Sequence, residues 1–312
     1  MYSARRCTLL RGGTSYLTLL LLSTTILLLY LHRTHTLITS LSPSFPPSTT
    51  PHPPIPKIIW YKPSTPNGIP TSALEWTETC TTSNPDHEVL YLNEDDASDF
   101  VSTAFAQHPD ILATWSALRL GAVKHDMLRY MLLYDQGGVW FDVGASCSAG
   151  VPISSWLPKE QRDATGLMLA REPDPAGAKP QDPPHRFATW VMMARPGSPH
   201  LLAVVQDIVA AVHQTMRFYD VGDVGNLTEG MVGDVGTFSG PGRLTRAVLG
   251  SLEAMLNRTV EREEVSSVLM PKLLGDVLIM PRSSFSKGES AAVAEGDELV
   301  PPALATLHEI AT

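Results

Sequence analysis

Asp126, Arg129 and Asp142 are the residues of this 312-residue chain whose types and spacing suit work on a polar, charged ligand. Asp126 and Arg129 stand three apart in KHDMLRYMLLYD, an apolar run with helical period, so they share one helix face. Gly137-Gly138 stops that helix by supplying the left-handed conformation a helix end needs. VWFDVGAS then reads as a strand, with Val139, Phe141 and Val143 pointing one way and Trp140, Asp142 and Gly144 the other. The three polar groups converge near the carboxyl end of a strand, where open α/β sheets bind ligands. A guanidinium offers a fork of donors to phosphate or hydroxyl oxygens, and carboxylates suit a hard cation. On periodicity alone the same residues also fit a surface ion pair and a loop-capping aspartate.

Two further places could meet a ligand. The loop GTFSGPGR, from Gly236 to Arg243, precedes a helix whose Leu244, Val248, Leu252 and Leu256 recur every four residues. Its amides, with Gly240 and Gly242 at the helix start, could face a phosphate or sugar, or form a plain tight turn into a core helix. Trp60 or Tyr61, at the end of the first strand, offers a ring for a base to stack on and equally fits the core.

The elements that must position these residues alternate between strand and helix, the pattern of an α/β domain with a mainly parallel sheet from residue 56 to 312. KIIWY and HEVLYL read as strands, Thr71 to Ser83 as a helix ended by Asn84-Pro85, and EDDASDFVSTAF as a helix capped by Asn93. A longer helix is expected from Thr114 to Tyr134. Ahead of the domain, residues 14–31 are uncharged, apolar and long enough to span a bilayer. Arg5, Arg6 and Arg11 precede that run and only Arg33 follows closely, which predicts a cytoplasmic tail over 1–13 and a lumenal remainder, a single-pass type II membrane protein. Residues 32–55, rich in Pro, Ser and Thr, read as a stem. Asn226-Leu227-Thr228 and Asn257-Arg258-Thr259 are glycosylation sequons. The formal net charge of -9, with no basic stripe beyond the first residues, argues against nucleic acid as a partner. Cys80 and Cys147 fall on the same side of the apolar run and allow one disulfide.

The run KHDMLRYMLLYDQGGVWFDVGASC resembles the core of the DXD sugar-binding glycosyltransferases of family 32, which includes fungal initiation-specific α-1,6-mannosyltransferases. IPKIIWYK, NPDHEVLYLNEDDA, FATWVMMARPGSPHL and FSGPGRLTRAVL follow in the order that family shows. The resemblance implies a GT-A-like fold, a nucleotide-sugar donor (GDP-mannose foremost), a glycan or glycolipid acceptor, a Golgi location and retaining transfer. It also implies Mn2+ or Mg2+ on the diphosphate, with Asp126 and Arg129 on the donor and Asp142 serving ribose and metal. The chain departs from Asp-x-Asp at Gly144, which offers no ligand; Asp135, Asp223 or Asp234 are conceivable substitutes. The family's late active-site His corresponds to His308, without the Gly-Ser-Trp that usually accompanies it, so the carboxyl end reads as truncated or divergent. Two readings follow: a hexosyltransferase, or a non-catalytic relative that binds a sugar or a partner.

Overall fold

The computed structural model describes residues 53–63, 68–172, 186–266, 268–287 and 303–308. The expected cytoplasmic tail, the apolar span 14–31 and nearly all of the stem lie outside the described residues. Among the described residues no helix is long and apolar enough to cross a membrane.

Seven strands form one sheet in the order β2-β1-β3-β6-β5-β8-β7: β1 (Ile58–Tyr61), β2 (Glu88–Tyr91), β3 (Gly138–Phe141), β5 (Leu167–Arg171), β6 (Phe187–Ala194), β7 (Lys272–Leu274) and β8 (Val277–Met280). β1 pairs in parallel with β2 and β3, whereas β6 runs antiparallel to both β3 and β5. β8 is parallel to β5 and antiparallel to β7. The sheet is therefore mixed: β1, β2, β3, β5 and β8 run one way, as the expectation of a mainly parallel sheet has it, and β6 and β7 run the other. A second sheet joins β4 (Ala145–Cys147), β10 (Ala305–Leu307) and β9 (Phe285–Lys287).

Both faces of the large sheet are covered, which is why its strands read as continuous apolar runs. Trp60, Trp140, Leu167, Leu169 and Met192 face one core, shared with α4 (Gly121–Asp135), α5 (Pro199–Tyr219) and α6 (Pro241–Leu256). The alternate residues Ile59, Tyr61, Val139, Phe141 and Met168 face the other, shared with α1 (Thr71–Ser83) and the small sheet. Cys80 of α1 and Cys147 of β4 form a disulfide. Asn93 caps α2 (Glu94–Ala104), accepting from the Asp96 amide at 2.9 Å while the Asp96 carboxylate accepts from the Asn93 amide.

Two expected elements are broken. The long helix is divided into α3 (Pro109–Ala117) and α4, because Leu118 and Leu120 are extended. Leu118 is buried, Gly121 is a poor helix former, and Trp115 Nε1 closes the corner on the Lys124 carbonyl at 3.2 Å. VWFDVGAS is likewise not one strand. β3 ends at Phe141, Asp142 to Gly144 turn, and β4 belongs to the other sheet. Gly144 has φ +99°, and the Ala145 amide closes the turn on the Asp142 carbonyl at 3.1 Å. Asp142 and Gly144 thus do not share a strand face.

Candidate functional site

A cleft of about 790 Å3 opens at the edge where the parallel strands β1, β2 and β3 end. Lys62 directly follows β1, Glu94 begins the helix after β2, and Asp142 directly follows β3, so three consecutive strand ends supply its polar wall. The break before α4 aims that helix's amino terminus at the same cleft, bringing in Lys124, His125, Asp126 and Arg129.

Arg129 is the hub. Its Nη2 lies 3.2 Å from Asp126 Oδ1 and its Nη1 3.1 Å from Asp142 Oδ1, and Nη1 also donates to the Thr189 carbonyl at 2.8 Å. The guanidinium sits over the Trp140 ring, whose Nε1 donates to Asp142 Oδ1 at 2.8 Å. Ser239 Oγ donates to Asp126 Oδ2 at 2.7 Å, and Tyr130 Oη donates to the Ser239 carbonyl at 3.0 Å. The Arg129 and Asp126 side chains are 7% and 11% exposed, which rules out the surface ion pair that periodicity also allowed. Burial pushes the Asp126 carboxyl up against the opposing pull of Arg129 and Ser239. Burial works against the Arg129 charge, yet Asp142 and Asp126 together hold its pKa above the ordinary value. Asp142, 29% exposed, meets the cleft more openly than Asp126 and can accept from ligand hydroxyls.

Two lysines also line the cleft. Glu94 lies 2.9 Å from Lys62 Nζ and 3.7 Å from Lys124 Nζ, and Lys124 stands over the Trp115 ring. His125 packs edge-on against Trp140. Its Nε2 is buried without a hydrogen-bond partner, and burial, reinforced by Arg129, lowers its pKa to about 4.

Of the residues singled out from sequence, the structure brings Asp126, Arg129, Asp142, Gly240 and His308 to the cleft. Trp60 and Tyr61 do not line it. Trp60 is buried with Nε1 on the Gly137 carbonyl at 2.8 Å, and Tyr61 stacks in the core between Tyr91 and Phe141. Base stacking on either is corrected to core packing. Gly242 lies behind the cleft wall, where an added Cβ would come 3.1 Å from the Gly236 carbonyl oxygen and Thr237 Cα. Its role is close packing. Asn226 and Asn257 are both exposed. Lys62, Glu94, Lys124 and His125 escaped sequence reasoning. Adjacency to Asp126 was the available signal for Lys124 and His125; Ser239 lies in the GTFSGPGR loop singled out from sequence, but its contact with Asp126, 113 positions away, has no local signal.

The family's divalent cation does not fit the donor set. Asp142 Oδ1 is already shared by Trp140 Nε1 and Arg129 Nη1, and position 144 supplies no side chain. Asp135, Asp223 and Asp234 do not line the cleft; Asp223 and Asp234 accept from backbone amides as helix caps. His308 Nε2 lies 2.8 Å from Ser146 Oγ and its ring stacks on Trp76. Among the described residues no three His, Cys, Asp or Glu side chains gather closely enough to hold a metal, so a hard cation would find fewer than three such ligands there.

Residues 70–163 match the family described as "Glycosyltransferase sugar-binding region containing DXD motif". The initiation-specific alpha-1,6-mannosyltransferase of Schizosaccharomyces pombe is 26% identical over 76% of this chain and 58% of its own length. The protein named "Putative glycosyltransferase HOC1" of Saccharomyces cerevisiae is 31% identical over 64% of this chain and 50% of its own length, and the initiation-specific alpha-1,6-mannosyltransferase of Candida albicans 25% identical over 75% and 66%. The chain thus spans between half and two thirds of the length of these relatives. Among solved structures, the PaToxG glycosyltransferase aligns at a TM-score of 0.45 and 18% identity, over 66% of this chain and 75% of that one. The catalytic domain of alpha-toxin from Clostridium novyi aligns at 0.44 and 9%, over 69% and 76%.

Proposed function

We propose that this relative of the family 32 glycosyltransferases is a hexosyltransferase that moves mannose from GDP-mannose to a glycan or glycolipid acceptor. The observation that carries the reading is the buried Asp126-Arg129-Asp142 network at the strand-end edge of a cleft large enough for a nucleotide sugar. Asp142 accepts from sugar or ribose hydroxyls, Asp126 is fixed by Ser239 and Arg129 to do the same deeper in the cleft, and Arg129 keeps both carboxylates in place. Such an array recognises a polyol by hydrogen bonds whose loss leaves buried charge unpaired, a strong source of selectivity. The relatives named as alpha-1,6-mannosyltransferases support mannose and that linkage.

With this reading go a GT-A-like arrangement, retaining stereochemistry and a type II Golgi placement in which residues 14–31 anchor a lumenal domain, with Asn226 and Asn257 glycosylated. The test is transfer and donor hydrolysis by the full chain across GDP-mannose, UDP-galactose and UDP-glucose. Turnover of GDP-mannose above the others is expected; no turnover and no binding of any donor would sink the reading. A second reading, a sugar-binding relative without turnover, is favoured by the side-chain-free turn at Gly144. Donor binding with no product would select it.

A further inference from the structure

Among the described residues no three carboxylate, imidazole or thiol side chains gather to hold a cation at the cleft, yet a nucleotide-sugar donor brings a diphosphate whose charge must be met. Two ammonium groups stand at that cleft in an arrangement suited to an anion. The Lys62 side chain is 13% exposed and the Lys124 side chain 21%, whereas the Glu94 carboxylate that lies near both is 60% exposed. The cations are thus built into the wall and their present counter-ion is the surface partner. Because the Glu94 carboxylate is solvated, water takes over its contacts when an anion of higher charge displaces it from the two lysines.

Placement adds to charge. Lys62 follows β1 and Asp142 follows β3, adjacent parallel strands, so an ammonium and a carboxylate flank one groove at the sheet's carboxyl edge. Lys124 lies in the first turn of α4, a 15-residue helix with no side-chain cap and no acidic residue in that turn. The amides of its first turn precede the first intrahelical bond, which Lys124 N makes to the Leu120 carbonyl.

We propose that Lys62 and Lys124 carry the charge of the donor's diphosphate, so that nucleoside diphosphates bind this chain without a divalent cation. This rests on the donor reading above and adds to it which residues replace the missing carboxylate. As the leaving diphosphate gains negative charge, ammonium groups already in place stabilise it without reorganisation. No covalent step by either lysine is implied.

The test is calorimetric titration of the full chain with GDP, UDP and inorganic pyrophosphate, in EDTA and in excess Mn2+. Affinity for one nucleoside diphosphate in EDTA is expected within about threefold of that in Mn2+. Lys62→Gln and Lys124→Gln should each weaken it about tenfold, the scale of one charged hydrogen bond, and weaken pyrophosphate in parallel. Both side chains reach solvent, so circular dichroism should show folded variants, and Lys124→Arg should recover most of the loss. Binding that requires Mn2+, or that ignores both substitutions, overturns the proposal and leaves the donor reading intact. No nucleotide bound under either condition overturns both.

Discussion

Replacing Arg129 with Met removes the charge that three elements share while keeping much of the side-chain volume. Its guanidinium meets Asp126 on its own helix, Asp142 after β3 and the Thr189 carbonyl of β6. With the Arg129 and Asp126 side chains 7% and 11% exposed, water cannot take over the lost contacts. Breaking a buried pair from one side costs about 3–5 kcal/mol, against a whole-domain stability of about 5–15 kcal/mol. Adding Asp126→Asn removes the orphaned charge, keeps an acceptor for Ser239 and should restore more than half of the loss, which a double-mutant cycle reads as coupling. The pH dependence has a definite sign. Burial already raises the Asp126 pKa, and Arg129→Met removes the group opposing that rise. A carboxyl with a raised folded-state pKa contributes stability below its unfolded value and loses it as pH rises through the folded one. The deficit of Arg129→Met should therefore be smaller near about pH 5 than near about pH 8. Urea unfolding followed by tryptophan fluorescence measures all three proteins, with Trp140 against the guanidinium as a local reporter. A loss under about 1 kcal/mol, as for an exposed pair, would refute the buried network.

Gly144→Asp restores the family's motif but forces a side chain onto φ +99°, so it should cost about 1–3 kcal/mol without adding Mn2+ affinity; an unchanged melting temperature with tighter Mn2+ binding would contradict this. Cys80→Ser opens a link between residues 67 apart and should lower stability by about 4 kcal/mol on the chain-entropy estimate, measured by denaturant unfolding beside wild type with and without reductant. His125, with its pKa lowered to about 4 first by burial and then by Arg129, contributes stability that is full above its unfolded value and lost as pH falls toward 4. His125→Gln should flatten that acid slope in a pH series of unfolding midpoints, and an identical slope would count against a buried neutral imidazole.

Much of the fold was legible because its information is local. The helix from Thr71 to Ser83, the Asn93 cap and the Gly137-Gly138 stop each depend on residues within a turn or two, and the structure places all three as the sequence indicates. What failed depends on distant partners. The apolar period runs through Leu118 to Leu120 without a mark, so the corner between α3 and α4 is invisible until Trp115 is seen closing it on Lys124. Trp60 and Tyr61 end a strand in a way that suits either a ligand or a core, and only the parallel neighbours β2 and β3 decide for the core. The reversed direction of β6 was missed for a related reason: a strand buried on both faces is apolar whichever way it runs, so nothing in FATWVMMA marks β6 as antiparallel.

The site itself was half legible, and Gly144 shows why. A helix face and a strand end place Asp126, Arg129 and Asp142 together from sequence, but alternation along one continuous strand also put position 144 beside Asp142. The structure uses Gly144 for topology instead. Its positive φ turns the chain out of the large sheet into β4, which pairs with β10 and carries the cysteine bonded to α1. Its carbonyl accepts from the His308 amide at 3.1 Å, which fixes His308 at the cleft rim. An aspartate there would have to provide a ligand from a backbone conformation that side chains with a Cβ rarely adopt. The glycine is therefore more than the loss of a carboxylate: the turn depends on it, and restoring the motif letter would disturb the connection that closes this side of the cleft.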